Sequence, residues 1–75
     1  NPSAGLFDLT LHLLEPKPVE LEVIDMLGQR VHAERIQAPA GRLVHELDMT
    51  QLSSGVYMLS LRLSGRVFTR RLVVE

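Results

Sequence analysis

The chain has 75 residues, 45% apolar and 23% charged, with a net charge of -1, three aromatic side chains and no cysteine. That length allows one domain, residues 1-75, and no second one. The near-zero charge and scarce rings speak against a nucleic-acid partner, and the missing thiols exclude disulfides, thiolate metal sites and cysteine nucleophiles.

No apolar run reaches the roughly 20 residues of a membrane helix, and no charged stretch followed by an apolar one opens the chain as a signal peptide would. It opens on Asn1-Pro2 instead of methionine, which points to a piece excised or cleaved from something longer.

Along the chain the hydrophobic period is two. Phe7, Leu9, Leu11 and Leu13 alternate with Asp8, Thr10 and His12, which predicts a half-buried strand. After the breaker Glu15-Pro16-Lys17-Pro18, Val19, Leu21 and Val23 alternate with Glu20 and Glu22, a second strand with an acidic outer face. Asp25-Met26-Leu27-Gly28 carries turn chemistry, an Asp that bonds its own following backbone and a Gly free to take positive φ. A hairpin follows, with its return arm from Arg30 to Ile36. Ala38-Pro39-Ala40-Gly41 interrupts it, and Arg42 to Leu47 then reads as an edge strand.

Asp48 to Gly55 is short and polar, which predicts a helical turn anchored by Leu52, closed by Gly55 and joining two sheets. Tyr57, Leu59, Leu61 and Leu63 alternate with Met58, Ser60 and Arg62, and Ser64-Gly65 turns that strand into another from Val67 to Val74. Strands about 8 to 12 residues apart, with turn signals between them, predict an all-β fold: a small antiparallel immunoglobulin-like β-sandwich of six to seven strands. Its loops must be short, which leaves little surface for a grafted active site and argues against an enzyme.

The chemical inventory agrees. His12, His32 and His45 match no compact metal motif and are expected to be solvated on strand faces, so no metal or other cofactor is expected. Asp25 and Asp48 sit where turns need an acceptor, and Ser53-Ser54-Gly55 lacks the flanks of a nucleophile elbow. Phe7, Tyr57 and Phe68 fall on core-like alternating positions instead of forming a ligand platform, and no small-molecule substrate is implied. The Tyr57 hydroxyl is suited to bond a backbone group at a sheet corner.

Charge is distributed unevenly. Residues 1-55 carry net -4, whereas residues 56-75 hold Arg62, Arg66, Arg70 and Arg71 against Glu75, net +3. A basic C-terminal hairpin is consistent with a docking face for an acidic partner and equally with an edge protected by arginines.

Three segments carry a resemblance: Asn1-Pro2-Ser3-Ala4-Gly5-Leu6-Phe7, Val23 through Val31 with its Asp-x-x-Gly-x-x-Val, and Leu47 through Tyr57 with its Leu-x-x-Gly-Val-Tyr. With the terminal basic-then-apolar strand, their order and spacing over nearly the whole chain resemble the type IX secretion system C-terminal sorting domain, type A. The resemblance implies a signal at the C-terminus of a secreted protein of a Gram-negative bacterium. It would pass the periplasm and be read by the outer-membrane translocon and its shuttle protein. A sortase-like protease would then remove it and attach the cargo to the cell surface. Glu75 departs from the basic residue with which members often end.

By resemblance, recognition would fall on Gly55, Val56, Tyr57, Arg70, Arg71, Leu72, Val73 and Val74. Gly5, Asp25, Gly28, Asp48 and Gly65 read instead as turn determinants, because backbone preference suffices to explain them. The other reading of the same alternation is an accessory immunoglobulin or fibronectin-like module that spaces domains or adheres to a surface. An adhesin of that kind should expose aromatic side chains.

Overall fold

The computed structural model describes residues 2-75, with side chains from residue 3 onward; Asn1 of the opening motif lies outside the described residues. Seven strands follow in order: β1 (Pro2–Ser3), β2 (Leu6–Leu13), β3 (Lys17–Ile24), β4 (Arg30–Ala38), β5 (Gly41–Asp48), β6 (Gly55–Leu63) and β7 (Arg66–Val74). The larger sheet has the order β1-β7-β6-β3-β4, and β2 pairs with β5 in the smaller. Every pairing is antiparallel except that of the two-residue β1 with β7. β3, β6 and β7 stand side by side as strands C, F and G do in immunoglobulin domains, and β2 lies on β5 as B lies on E. The expected sandwich is present, and the short β1 is its seventh strand.

Alternation decides what is buried. Phe7 and Leu47 from the small sheet meet Leu21, Val23, Tyr57, Leu59, Leu72 and Val74 from the large one. Those eight side chains are at most 6% exposed, and burying each is worth about 1.5–3 kcal/mol. No thiol staples this core, so stability rests on it.

Turn chemistry fixes the connections. Oδ1 of Asp25 accepts the amides of Leu27 and Gln29, each at 2.9 Å, and Gly28 takes φ +85 behind them. Ser64 and Gly65, at φ +50 and +75, form the two-residue hairpin turn whose twist matches its strands. Between Asp48 and Gly55 there is a single turn, Leu52 N–H to Met49 C=O at 3.1 Å, and no helix. The segment is too short and too rich in residues that bond their own backbone to propagate one. Its buried anchor is Met49, 1% exposed, while the expected anchor Leu52 is half-buried against the cluster.

Two further expectations are corrected. Pro18 lies within β3 instead of breaking it, because β6 pairs with β3 only from Glu20 onward and the missing N–H removes no ladder bond on that side. Phe68 is 40% exposed, unlike Phe7 and Tyr57. It points toward the interior, where the small sheet does not reach.

Candidate functional site: the C-terminal hairpin

Most of the residues singled out by resemblance meet in space. Across the β6–β7 hairpin Gly55 pairs with Val74, Val56 with Val73 and Tyr57 with Leu72. β1 then pairs Pro2 with Val73 and Ser3 with Val74 on the outer edge of β7, and the Glu75 amide donates to the Ser3 carbonyl at 2.8 Å. The opening motif, the Leu-x-x-Gly-Val-Tyr motif and the terminal strand therefore close on one another at one end of the large sheet. Arg71 and Arg70 lie one and two positions short of this junction, opposite Met58 and Leu59.

The period of two divides these residues by role. Tyr57, Leu72 and Val74 face inward and are at most 6% exposed. The Tyr57 hydroxyl donates to the Ser53 carbonyl at 2.6 Å, the corner bond expected of it. Val56 and Val73 are half-buried on the outer face, and both arginines are exposed. Among the described residues, no carboxylate lies within 4.0 Å of the guanidinium of Arg62, Arg66, Arg70 or Arg71. Of the eight residues, then, three hold the fold and the exposed charge belongs to two.

The turn determinants are placed as their chemistry requires. Oδ1 of Asp48 accepts both the hydroxyl (2.6 Å) and the amide (3.0 Å) of Thr50. Those bonds, that of the hydroxyl foremost, hold its carboxyl below the usual aspartate range. Asp25 accepts the amides of its own turn in the same way, so each aspartate serves the turn in which it stands. Gly5 does more than turn the chain. Its carbonyl accepts the Met49 amide at 2.7 Å, where the strand passes from one sheet to the other.

The histidines depart from expectation. His12 is solvated, but His32 and Glu34 point inward from β4, opposite Val23 and Leu21, and meet His45 of β5. Nε2 of His32 lies 2.6 Å from one Glu34 oxygen. Nε2 of His45 lies 2.7 Å from the other but off the hydrogen-bonding direction, and no other partner among the described residues reaches it. The sequence signal was available: these positions continue the inward register of Ile36 and Leu47. Polar residues in an inward register were read as solvated because their partners lie on different strands. Among the described residues no group of three or more metal-ligating side chains is arranged to hold an ion.

Burial pushes the Glu34 carboxyl up, but the hydrogen bond from His32 and the charges of His45 and His32 outweigh it and leave Glu34 below the usual range. A carboxyl that titrates lower when folded contributes stability above its ordinary range, and loses that contribution as the pH falls through the lowered value. Glu34→Gln should therefore cost about 1 kcal/mol at pH 7, given its partial exposure, and nearly nothing well below the ordinary glutamate value of about 4.3. Urea unfolding of both proteins at neutral and acid pH checks this; an equal difference at both would refute it.

A family model for the secretion system C-terminal sorting domain matches residues 1–75. The chain belongs to that family. Its members are the C-terminal sorting signals of the type IX secretion system, and this one is such a signal in an all-β fold. The family is a sorting-signal domain and not one known for catalysis. Membership implies interaction with the type IX machinery and secretion across the outer membrane in Bacteroidetes-type Gram-negative bacteria. No curated protein matches the chain closely.

Proposed function

We propose that this sorting domain presents β7 to the export machinery as its recognition strand, with Arg70 on its inner face and Arg71 on its outer face as contacts and Val56 and Val73 beside Arg71. Gly55, Tyr57, Leu72 and Val74 act through the fold that holds those contacts in place. The observation that carries the reading is the junction itself: three separated motifs close on one end of the sheet, next to guanidinium groups with no carboxylate partner among the described residues. An exposed charged residue on a sheet edge has no packing role to explain it, and arginines with no carboxylate beside them among the described residues suit a partner that supplies carboxylates.

In this reading residues 1-75 form one unit at the end of a larger secreted protein. The outer-membrane translocon and its shuttle protein bind it after passage through the periplasm. A sortase-like protease removes it as the cargo is attached to the cell surface.

The test is export of a periplasm-targeted fluorescent protein carrying these 75 residues at its C-terminus, in a host with a type IX system. Arg70→Glu with Arg71→Glu should leave the circular dichroism and melting of the domain unchanged and lower surface and medium fluorescence at least tenfold. Undiminished export by the folded double variant would remove Arg70 and Arg71 from the recognition contacts.

A further inference from the structure

The two lateral sides of the sandwich are closed differently. Between β4 and β5 the chain itself crosses from sheet to sheet at Ala38-Pro39-Ala40-Gly41, and His32, Glu34 and His45 fill the gap behind it. Between β2 and β7 the chain crosses at the end beside Val73 and Val74, where β1 leads through Ala4-Gly5 into β2, and beyond that junction the small sheet leaves part of the large one uncovered. A groove of about 540 Å³ runs there. Its walls and floor include Leu11, Leu13, Leu61, Leu63 and Phe68, none of them fully buried.

Two free strand edges face each other across this groove. β2 pairs with β5 alone, so its other edge is open from Leu6 to Leu13. Among the described residues β7 is covered on its outer edge only at Val73 and Val74, by Pro2 and Ser3, and Arg66 to Leu72 have no strand beside them there. Unpaired edge amides and carbonyls are a template for an added strand. The inward register of β7 then sets what that strand must carry: Arg66, Phe68 and Arg70 all point to the groove side, opposite Leu63, Leu61 and Leu59. The Arg66 guanidinium sits 5.5 Å from the centre of the Phe68 ring, and Arg71 reaches the rim. Arg70 and Arg71 line the groove and Arg66 stands opposite Leu63 of its lining; against these cations the lining holds one carboxylate, Asp8, and one histidine, His12.

We propose that the groove between β2 and β7 is a strand-addition site for an extended acidic-apolar segment of a partner protein. It places an apolar side chain beside Phe68 and carboxylates two residues to either side, beside Arg66 and Arg70. Cross-strand neighbours on one face follow the period of two, so the recognised pattern is acidic-x-apolar-x-acidic. A second copy of this chain does not supply it, since no two acidic residues here stand four apart. The inference extends the reading of β7 as the strand engaged by the machinery and names the chemistry of the partner.

The probe is a labelled nine-residue peptide, valine and glutamate alternating at the inward positions with threonine between them, titrated into the purified 75-residue domain. Saturable binding is expected at low salt, at least tenfold stronger than that of the same peptide with lysine for glutamate. Arg66→Glu with Arg70→Glu should reverse that preference, which a merely unfolded variant would not do. Amide resonances of residues 8–13 and 66–72 should shift, and those of β4 should not. Equal binding of both peptides, shifts confined to β4, no saturation, or a dimer of the free domain occupying the same amides would each overturn the proposal. Binding is read on the isolated domain and export in the cell, so failure of one leaves the other standing.

Discussion

Gly5→Ala should leave the domain largely unfolded, although it adds a single methyl group. Gly5 has φ +122, outside the range that side-chain-bearing residues adopt, and a Cβ there would stand 2.8 Å from Thr50 Cα and 2.9 Å from Thr50 N. Both atoms belong to backbone, pinned by the bond from the Met49 amide to the Gly5 carbonyl and by the Asp48–Thr50 bonds beside it. Neither can swing aside as a flexible side chain would. Backbone strain of about 1–3 kcal/mol adds to an overpacking cost of about 1–3 kcal/mol. A core of this size supplies only about 3–5 kcal/mol of net stability. Gly28→Val is the useful contrast: it shares the positive φ, +85, but its Cβ meets nothing within 4 Å. That variant should lose about 1–2 kcal/mol, the strain alone, and stay folded. Urea midpoints followed by circular dichroism rank the two, and a Gly5→Ala midpoint equal to that of the parent would show that the junction yields.

The difference between the two glycines also marks what the sequence makes legible. Each strand of β2 to β7 is written in local alternation, and each hairpin turn in one or two residues, Asp25 with Gly28 or Ser64 with Gly65. Such features depend on neighbours in the chain, so a period of two and a turn residue suffice. Long-range contacts have no such signature. Gly5 reads as one more turn until Thr50 is set against it, and Met49 reads as part of a polar linker until β2 and β5 pair and enclose it. The same holds for the site. The resemblance marks residues 55–57 and 70–74, but only the register makes them partners, and only the face each occupies separates Leu72 from Arg71. His32, Glu34 and His45 are harder to read for the complementary reason: their polarity fits an exposed face although their register is inward, and the contacts that join them run between two sheets.

Truncation after Thr69 should abolish folding and not simply remove a recognition element. The lost segment contains Leu72 and Val74, 2% and 4% exposed, whose burial together is worth about 3–6 kcal/mol. It also carries Val73 and Val74, which pair with β1, and the Glu75 amide bonded to Ser3. Gly55 through Leu59 would lose their partners on β7. Tyr57 would keep its bond to Ser53 but lose the neighbour opposite it. The truncated chain should show no cooperative unfolding, measured by circular dichroism through a urea titration; a sigmoidal transition near that of the parent would mean that the last residues are dispensable to the fold. Failure of export after such a truncation therefore reports lost folding and lost recognition together. Arg70→Glu with Arg71→Glu separates them, because those side chains are exposed and their removal leaves Leu72 and Val74 where they are.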